Sequence, residues 1–184
     1  PQNLSEMLHP NVDPEQEKNA ILLTKGLPAG PGGAVGKIVF NSEDAISWKK
    51  NGENIILIRN ETSPEDVHGM FASDGIITAK GGMTSHAALV ARGWGKCCIV
   101  GCSDLIINDS NKTVIIKNTI LKEGDIITIN GNSGNIYLKK LPLISSNIHL
   151  NHYFNRLMDL CDKYKKLAVR ANAEAMSGAQ CNHL

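Results

Sequence analysis

A single histidine follows a glycine loop whose residue types suit phosphorus chemistry. Residues 81–86 read Gly-Gly-Met-Thr-Ser-His, and a run of small residues then leads to Gly93. This pattern predicts a short helix that begins at His86 and stops at Gly93. The N–H groups of a helix N-terminus favour a phosphate dianion. We therefore expect the imidazole of His86 to carry a phosphoryl group.

Imidazole and glycine both suit this role. A neutral imidazole is a good nucleophile at phosphorus, and histidines with the ordinary pKa of about 6.5 are mostly neutral at pH 7. The phosphorus–nitrogen bond is reactive, so the group can be passed on, and the protein mainly positions it and stabilises its charge. Gly81 and Gly82 carry no side chains, which leaves room for a large donor to approach.

Three polar residues near His86 are candidate supporting groups. We expect either Thr84 or Ser85 to cap the helix, while the other hydrogen-bonds the imidazole or a phosphate oxygen. Arg92 lies nearly two turns further along and points either toward the phosphate or toward solvent. A serine nucleophile with His86 as its base is disfavoured, because adjacent helical residues do not face each other.

Two further groups of residues do not indicate a second functional site. The run Gly26–Gly36 is rich in glycine and proline, but a phosphate loop would need glycine at Pro31 and serine or threonine at Ile38. Tight turns that lead into a strand are the favoured interpretation. The remaining histidines are scattered and are interpreted as structural or exposed: His9, His68, His149, His152 and His183.

The five cysteines do not indicate a site. Their odd number disfavours a secreted disulfide framework, and the lack of a Cys-x-x-Cys pair disfavours zinc. The neighbours Cys97 and Cys98 should point to opposite faces of a strand. We expect reduced, mostly buried thiols at Cys97, Cys98, Cys102, Cys161 and Cys181.

Composition argues against several classes of function. The 184 residues include 19 basic and 18 acidic ones, and only 4% are aromatic, which disfavours a nucleic-acid surface. No apolar run reaches the roughly 20 residues that a transmembrane helix needs, and no signal peptide opens the chain. We expect an intracellular protein, in the cytoplasm or in an organelle. Because the chain begins at Pro1, we expect it to be a piece of a longer one.

Predicted strands and helices alternate along the chain on both sides of the glycine loop. An apolar strand at Asn54–Arg59 is followed by a helix that Ser63 caps and that runs to about Ala72. A second strand at Ile76–Ala79 leads into the glycine loop and its helix, and Cys97–Gly101 is a third strand. Strand, helix, strand, helix and strand in this order predict an α/β unit.

The flanking segments differ in character. Residues 1–22 are polar and predict a linker with a helical turn after Pro14, and Lys37–Phe40 predicts a strand. Apolar residues at helical spacing predict a helix over 147–166, and a strand is predicted at 167–172. A small antiparallel β layer is predicted from three strand-like segments: 113–117, 125–129 and 135–138.

The loop and its flanks resemble a known family. Residues 81–101 are similar to the phosphohistidine domain of the pyruvate phosphate dikinases. Met83 stands where the related phosphoenolpyruvate synthases and the enzymes I of the phosphotransferase system usually have arginine. Residues 25–28 and 61–66 match the same family, and the resemblance covers about residues 23–140.

The resemblance implies an α/β fold, namely a swivelling β/β/α phosphohistidine domain at residues 23–140. Residues 1–22 would be the linker from a preceding ATP-grasp domain. Residues 141–184 would be a linker helix and the start of a barrel domain that binds phosphoenolpyruvate and pyruvate. The family uses Mg²⁺, which would bind outside these residues, and no cofactor is expected within them. The full-length enzyme would be a homodimer.

The resemblance also implies a reaction. His86 would accept a phosphoryl group that originates from ATP, with inorganic phosphate, and would deliver it to pyruvate. The full reaction would convert ATP, phosphate and pyruvate to AMP, diphosphate and phosphoenolpyruvate. Thr84 matches the position at which plant members are inactivated by phosphorylation. A second dianion there would repel the incoming phosphoryl group.

Other assignments remain open from the sequence. One alternative is the phosphohistidine domain of a phosphoenolpyruvate synthase or of an enzyme I. Another is a module that binds a phosphorylated ligand without covalent chemistry. We expect part of a phosphotransferase that has neither a nucleic-acid nor a membrane partner. By itself, this chain should not catalyse the full reaction.

Overall fold

A computed structural model of the chain describes residues 9–144 and 152–166. The chain divides into two compact units, Pro1–Ser146 and Asn147–Leu184. Within the described ranges, no helix is long and apolar enough to cross a membrane.

The first unit is built on an eight-stranded sheet. The strands of this sheet are β2 Leu22–Lys25, β3 Leu27–Gly30, β4 Gly33–Val39, β5 Ile55–Arg59, β6 Gly75–Thr78, β7 Cys97–Val100, β11 Ile126–Asn130 and β12 Asn135–Leu138. Their order is β2-β12-β11-β4-β5-β6-β7-β3. The four strands β4 to β7 are parallel, and the remaining neighbours are antiparallel.

Two smaller sheets accompany it. An antiparallel three-stranded sheet has the order β10-β9-β8, and a two-stranded sheet pairs β1 with β13. Their strands are β1 Asn11–Val12, β8 Leu105–Asn108, β9 Thr113–Ile116, β10 Thr119–Lys122 and β13 Leu143–Ile144. The helices are α1 Pro14–Lys18, α2 Ser42–Lys50, a 3₁₀ turn Pro64–Asp66, α3 Val67–Ala72, α4 His86–Gly93 and, in the second unit, α5 His152–Tyr164.

The core lies on both faces of the large sheet. One face packs against helices and includes Ala45, Met70 and Ala88. The other face packs against the three-stranded sheet and includes Val114 and Ile116. Parallel strands covered on both faces are apolar along their length, which explains the run Ile-Ile-Leu-Ile in β5. The three layers confirm the predicted β/β/α architecture.

The alternating unit predicted around the glycine loop is confirmed. β5, β6 and β7 are adjacent and parallel, and α3 and α4 connect them. The helix predicted after Ser63 begins as the 3₁₀ turn and continues as α3. α4 ends at Gly93 as expected, but the residue with positive φ that follows the helix is Gly95, at 63°.

The predicted single antiparallel layer is wrong. β9 pairs with β8 and β10, whereas β11 and β12 join the large sheet. β11 pairs with β4, about ninety residues earlier in the chain (Ile129 with Ala34). Alternating apolar residues predict that a segment is a strand, but they do not specify such distant partners.

The described part of the predicted N-terminal linker, residues 9–22, forms part of the first unit. The helical turn after Pro14 is confirmed as α1. Val12 is buried, and its strand pairs with β13. The carboxylate of Glu17 accepts hydrogen bonds from Tyr137 Oη at 2.6 Å and from Asn130 at 2.9 Å. α5 lies within the helix predicted over 147–166, while residues 147–151 and the strand predicted at 167–172 lie outside the described residues.

Candidate functional site

The loops that follow β5, β6 and β7 meet at one edge of the large sheet. Parallel strands bring their carboxyl ends to the same edge, where ligand sites usually form. Ala79 N donates to Arg59 O at 3.0 Å, and Lys80 N donates to Asn60 O at 2.9 Å. These bonds hold the beginning of the glycine loop against the loop that follows β5.

Of the two glycines in the loop, Gly81 and Gly82, Gly81 is the one whose backbone conformation requires glycine. Gly81 has a φ of 97°, and a Cβ there would lie 2.9 Å from Ser85 Cβ. Gly101, with a φ of 66°, approaches from the end of β7, where a Cβ would lie 2.8 Å from Gly81 O. A Cβ at Gly82 would have nothing within 4 Å. Gly81 therefore permits the turn, and Gly82 leaves open space beside it.

Ser85 is the N-cap of α4. Its backbone is extended, and its hydroxyl accepts a hydrogen bond from Ala88 N at 3.4 Å. The structure thereby resolves the choice between Thr84 and Ser85, and Thr84 is exposed. The helix buries Ala87, Ala88 and Ala91 in the core, so its small residues bring it close to the sheet.

His86 is the first residue of α4 and is half-buried. Its Nδ1 lies 3.1 Å from the Oγ1 of Thr62, a residue of the loop that follows β5. The partner of the imidazole is therefore neither Thr84 nor Ser85. A hydroxyl can both donate and accept, so Thr62 can bond to Nδ1 whether or not that nitrogen carries the proton.

His86 lines a cleft of about 290 Å³. Of the described residues that line it, Lys80 is the basic one and Glu61 is the acidic one. The complete lining is Glu61, Thr62, Thr78, Lys80, Gly81, Ser85, His86 and Ala87. The cleft therefore combines a nucleophile, a cation and a helix N-terminus, which together suit an anionic phosphoryl group.

Arg92 ties the helix to the loop. Its Nε donates to Ala88 O at 3.1 Å, and its Nη2 donates to the carbonyl oxygen of Met83. The guanidinium is thus engaged by two backbone carbonyls, and its position supports the shape of the loop. The sequence had left its direction undecided between phosphate and solvent.

An aromatic pair lies at the far end of α4. Trp94, the C-cap of the helix, meets Phe71 edge to face, with ring centroids 5.3 Å apart and an interplanar angle of 83°. Lys96 Nζ lies 5.4 Å from the centroid of the Phe71 ring and donates to Ser73 O at 2.6 Å. Partial burial lowers the pKa of Lys96.

The cysteines take the places predicted for structural thiols. Cys97 lies in the core on the three-stranded-sheet side, and Cys98 lies in the core on the helical side, so the pair does point to opposite faces. Cys102 is buried and Cys161 is exposed, while Cys181 lies outside the described residues. Burial raises the pKa of Cys98 and of Cys102 to about 12. Among the described residues, no group of three or more His, Cys, Asp or Glu could hold a metal ion.

The sequence did not identify Thr62 or Lys80 as site residues. Both follow strands that are parallel neighbours, and neither lies next to His86 in the sequence. One general rule could have pointed to them: loops that follow neighbouring parallel strands meet at the carboxyl edge of the sheet. Using this rule requires knowing which strands are neighbours, and the sequence does not give that.

The chain is similar to a known protein family and to several named proteins. Residues 51–134 match the family described as "PEP-utilising enzyme, mobile domain". The chain is 48% identical over 179 residues to "Pyruvate, phosphate dikinase 2" of Oryza sativa subsp. japonica, which covers 97% of this chain and 20% of that protein. It is 47% identical over 180 residues to "Pyruvate, phosphate dikinase, chloroplastic" of Mesembryanthemum crystallinum, covering 97% and 19%. The chain thus spans about a fifth of the length of these relatives.

A solved structure is similar over a smaller share of the chain. The solution structure of "Enzyme I (nEIt)" aligns with 60% of this chain and 38% of its own, with 19% identity and a TM-score of 0.34. The family match contains β5, the glycine loop, His86 and β7. Residues 51–134, which surround His86, are therefore similar to the mobile domains of PEP-utilising enzymes.

Proposed function

We propose that this domain is a phosphoryl carrier in which Nε2 of His86 forms the phosphorus–nitrogen bond. The observation that carries the proposal is the contact between Thr62 Oγ1 and His86 Nδ1 at 3.1 Å. This contact occupies one ring nitrogen at the wall of the cleft. The other nitrogen is left as the nucleophile.

The transfer step balances without a further reactant. In the tautomer with its proton on Nδ1, the Nδ1–H group donates to Thr62 Oγ1, and the lone pair of Nε2 attacks phosphorus. The P–Nε2 bond forms as the P–O bond to the leaving group breaks, and the leaving oxygen takes the electron pair. The positive charge that develops on the ring is stabilised by the hydrogen bond to Thr62. Transfer to an acceptor oxygen reverses these changes.

The complete reaction is inferred from the longer relatives. We propose that the phosphoryl group originates from ATP, with inorganic phosphate, and passes from His86 to pyruvate to give phosphoenolpyruvate. The relatives named pyruvate, phosphate dikinase support this over a phosphoenolpyruvate synthase, an enzyme I or a non-covalent binding module. An ATP-grasp domain and a barrel domain of the same longer chain would supply the two reaction centres, and that chain would be a homodimer.

Magnesium and location remain part of the proposal. The described residues do not form a set of metal ligands, and we propose that Mg²⁺ binds in the other domains. The cytoplasmic location stays a prediction. The relatives named as chloroplastic make an organelle the alternative.

Thr84 is the proposed regulatory position. It is exposed two residues before His86, so a modifying enzyme can reach it. A phosphate there would place a second dianion close to the incoming one. Thr84→Glu should lower the rate of phosphohistidine formation, whereas Thr84→Gln, of similar size and without charge, should lower it less. Equal rates in the two variants would contradict a charge-based effect.

Chemical phosphorylation tests the carrier function on this chain. We would treat the folded 184-residue chain with phosphoramidate and follow phosphohistidine by ³¹P NMR, which separates the Nε2 and Nδ1 adducts. The expected product is an acid-labile, base-stable Nε2 adduct that His86→Asn abolishes. In the longer protein, labelled ATP with phosphate should label the same residue. Affinity for phosphate that survives in His86→Asn, without any adduct, would indicate a binding module instead.

A further inference from the structure

A buried carboxylate outside the cleft holds the loop that carries Thr62. Asp66 is 6% exposed. Its Oδ2 accepts hydrogen bonds from Ser63 N at 3.0 Å and from Ser63 Oγ at 3.3 Å, and its Oδ1 accepts one from Ser42 Oγ at 3.0 Å. A buried carboxylate with several donors has a fixed position, because leaving any donor unpaired is costly. Ser63 is therefore held in place by Asp66.

Arg59 completes the network from the end of β5. Its Nε lies 3.5 Å from Asp66 Oδ1, and its Nη1 donates to Phe40 O at 2.9 Å. The helix that follows Asp66 packs closely on the start of α2, since a Cβ at Gly69 would lie 2.5 Å from Ser42 Cα. The carboxylate thus joins the end of β5, the start of α2 and the 3₁₀ turn.

Thr62 lies between two anchored positions. On one side, Asn60 O accepts the hydrogen bond from Lys80 N at 2.9 Å. On the other side, Ser63 is bound to Asp66. Only Glu61 and Thr62 lie between these anchors, so a displacement of Ser63 must move Thr62 as well.

We propose that Asp66, together with Arg59, is a positioning residue for phosphoryl transfer at His86. It acts through Ser63 to hold the Thr62 hydroxyl at Nδ1, which keeps Nε2 as the accepting nitrogen. The inference rests on the carrier function proposed above and assigns the network that selects the nitrogen. Asp66 is not among the residues that line the cleft, so it acts through Ser63 and Thr62.

Two readouts on the full chain test this role. The first is the tautomer of the His86 ring in the unmodified protein, from long-range ¹H–¹⁵N correlation spectra. The second is the ratio of the Nε2 to the Nδ1 adduct after treatment with phosphoramidate. We expect Asp66→Asn to lower the Nδ1–H fraction and to lower the adduct ratio about fivefold, the size expected for loss of one hydrogen bond. Arg59→Gln should shift both in the same direction and provides the test should Asp66→Asn fail to fold.

Two controls separate positioning from stability. Asp74→Asn removes another carboxylate that contacts β5, where it accepts from Ile55 N at 2.8 Å and binds Lys49, so it should lower stability without changing either readout. In the double variant Thr62→Val with Asp66→Asn, the second change should add nothing, because Asp66 acts through Thr62.

The outcomes are distinct. Additive effects in the double variant, or wild-type tautomer and ratio in folded Asp66→Asn or Arg59→Gln, would overturn the positioning role. If the wild-type chain forms no adduct at His86, the carrier function fails. The tautomer measurement would still decide whether Asp66 positions the ring.

Discussion

The Thr62 hydroxyl lies 3.1 Å from His86 Nδ1, although the two residues are 24 positions apart in the sequence. They belong to loops that follow neighbouring parallel strands, and backbone hydrogen bonds join the start of one loop to the start of the other. The sheet therefore fixes the contact as much as the loops do. A histidine that must form and break a bond at one nitrogen gains a defined orientation from its other nitrogen.

Removing the Thr62 hydroxyl should slow phosphoryl acceptance. Thr62→Val keeps the shape of the side chain but leaves Nδ1 without its partner, and the loss of about 1 kcal/mol corresponds to a roughly fivefold lower rate. Initial rates of adduct formation with phosphoramidate, followed by ³¹P NMR, measure the effect. Thr62→Ser retains the hydroxyl and should stay close to the wild type. Equal rates for the valine and serine variants would contradict the role of the hydroxyl.

The two loop glycines should respond differently to alanine. Gly81→Ala places a side chain at a φ of 97° and 2.9 Å from Ser85 Cβ, so we expect a loss of about 1–3 kcal/mol in the free energy of unfolding. Gly82→Ala meets no atom within 4 Å and should leave that free energy within about 0.5 kcal/mol of the wild type. Urea unfolding of both variants gives the comparison. Similar losses in the two variants would show that the loop conformation differs from the one described.

Lys80 should attract anionic donors to the cleft. We expect Lys80→Met to lower the rate of phosphorylation by phosphoramidate several-fold at low salt, and the difference should shrink as salt screens the charge. Lys122→Met is the matched control, because Lys122 is also exposed but lies in β10. If both variants lose the same rate, net charge rather than the lysine of the cleft is responsible.

The buried thiols should make the fold sensitive to alkaline pH. Burial raises the pKa of Cys98 and Cys102 from 9.0 to about 12, so the folded state keeps protons that the unfolded state releases. Their stabilising contribution is complete below about pH 9 and is lost as pH rises toward 12, at up to about 1.4 kcal/mol per thiol and pH unit.

Urea unfolding at pH 8.5 and pH 10.5 measures this loss. Replacing both Cys98 and Cys102 by alanine should reduce the difference between the two pH values but not remove it. Burial also raises the pKa of Cys97, the third buried thiol among the described residues, and the pKa of Tyr137 is raised to about 12. An unfolding free energy that does not fall between the two values would refute the prediction.

Local patterns were sufficient for the elements near His86. The start of α4 and the three apolar strands on either side follow from residues close in sequence, whereas the choice of Ser85 over Thr84 as the N-cap required the structure. The resemblance to the dikinases added the layer architecture, which the packing of the sheets confirms.

The sequence does not show which strands distant in the chain pair with each other. The pattern around 125–129 indicated a strand but not its pairing with β4, and the contact of Thr62 with His86 depends on the order β5-β6 in the sheet. α2 was not predicted at all. Its Asn41 cap is visible in the sequence, but the helix buries only Ala45 and so shows a weak apolar stripe.

The edge-to-face pair of Trp94 and Phe71 gives the domain an optical reporter. The sequence holds two tryptophans, Trp48 and Trp94, so Trp48→Phe would leave one fluorophore, at the end of the helix that His86 begins. Trp94 is 39% exposed and Phe71 is 63% exposed, so a surface that settles over this end of the helix would change the emission of the indole. The fluorescence of Trp94 would thus report when a neighbouring domain binds to this end of the helix and when it leaves, without an attached dye.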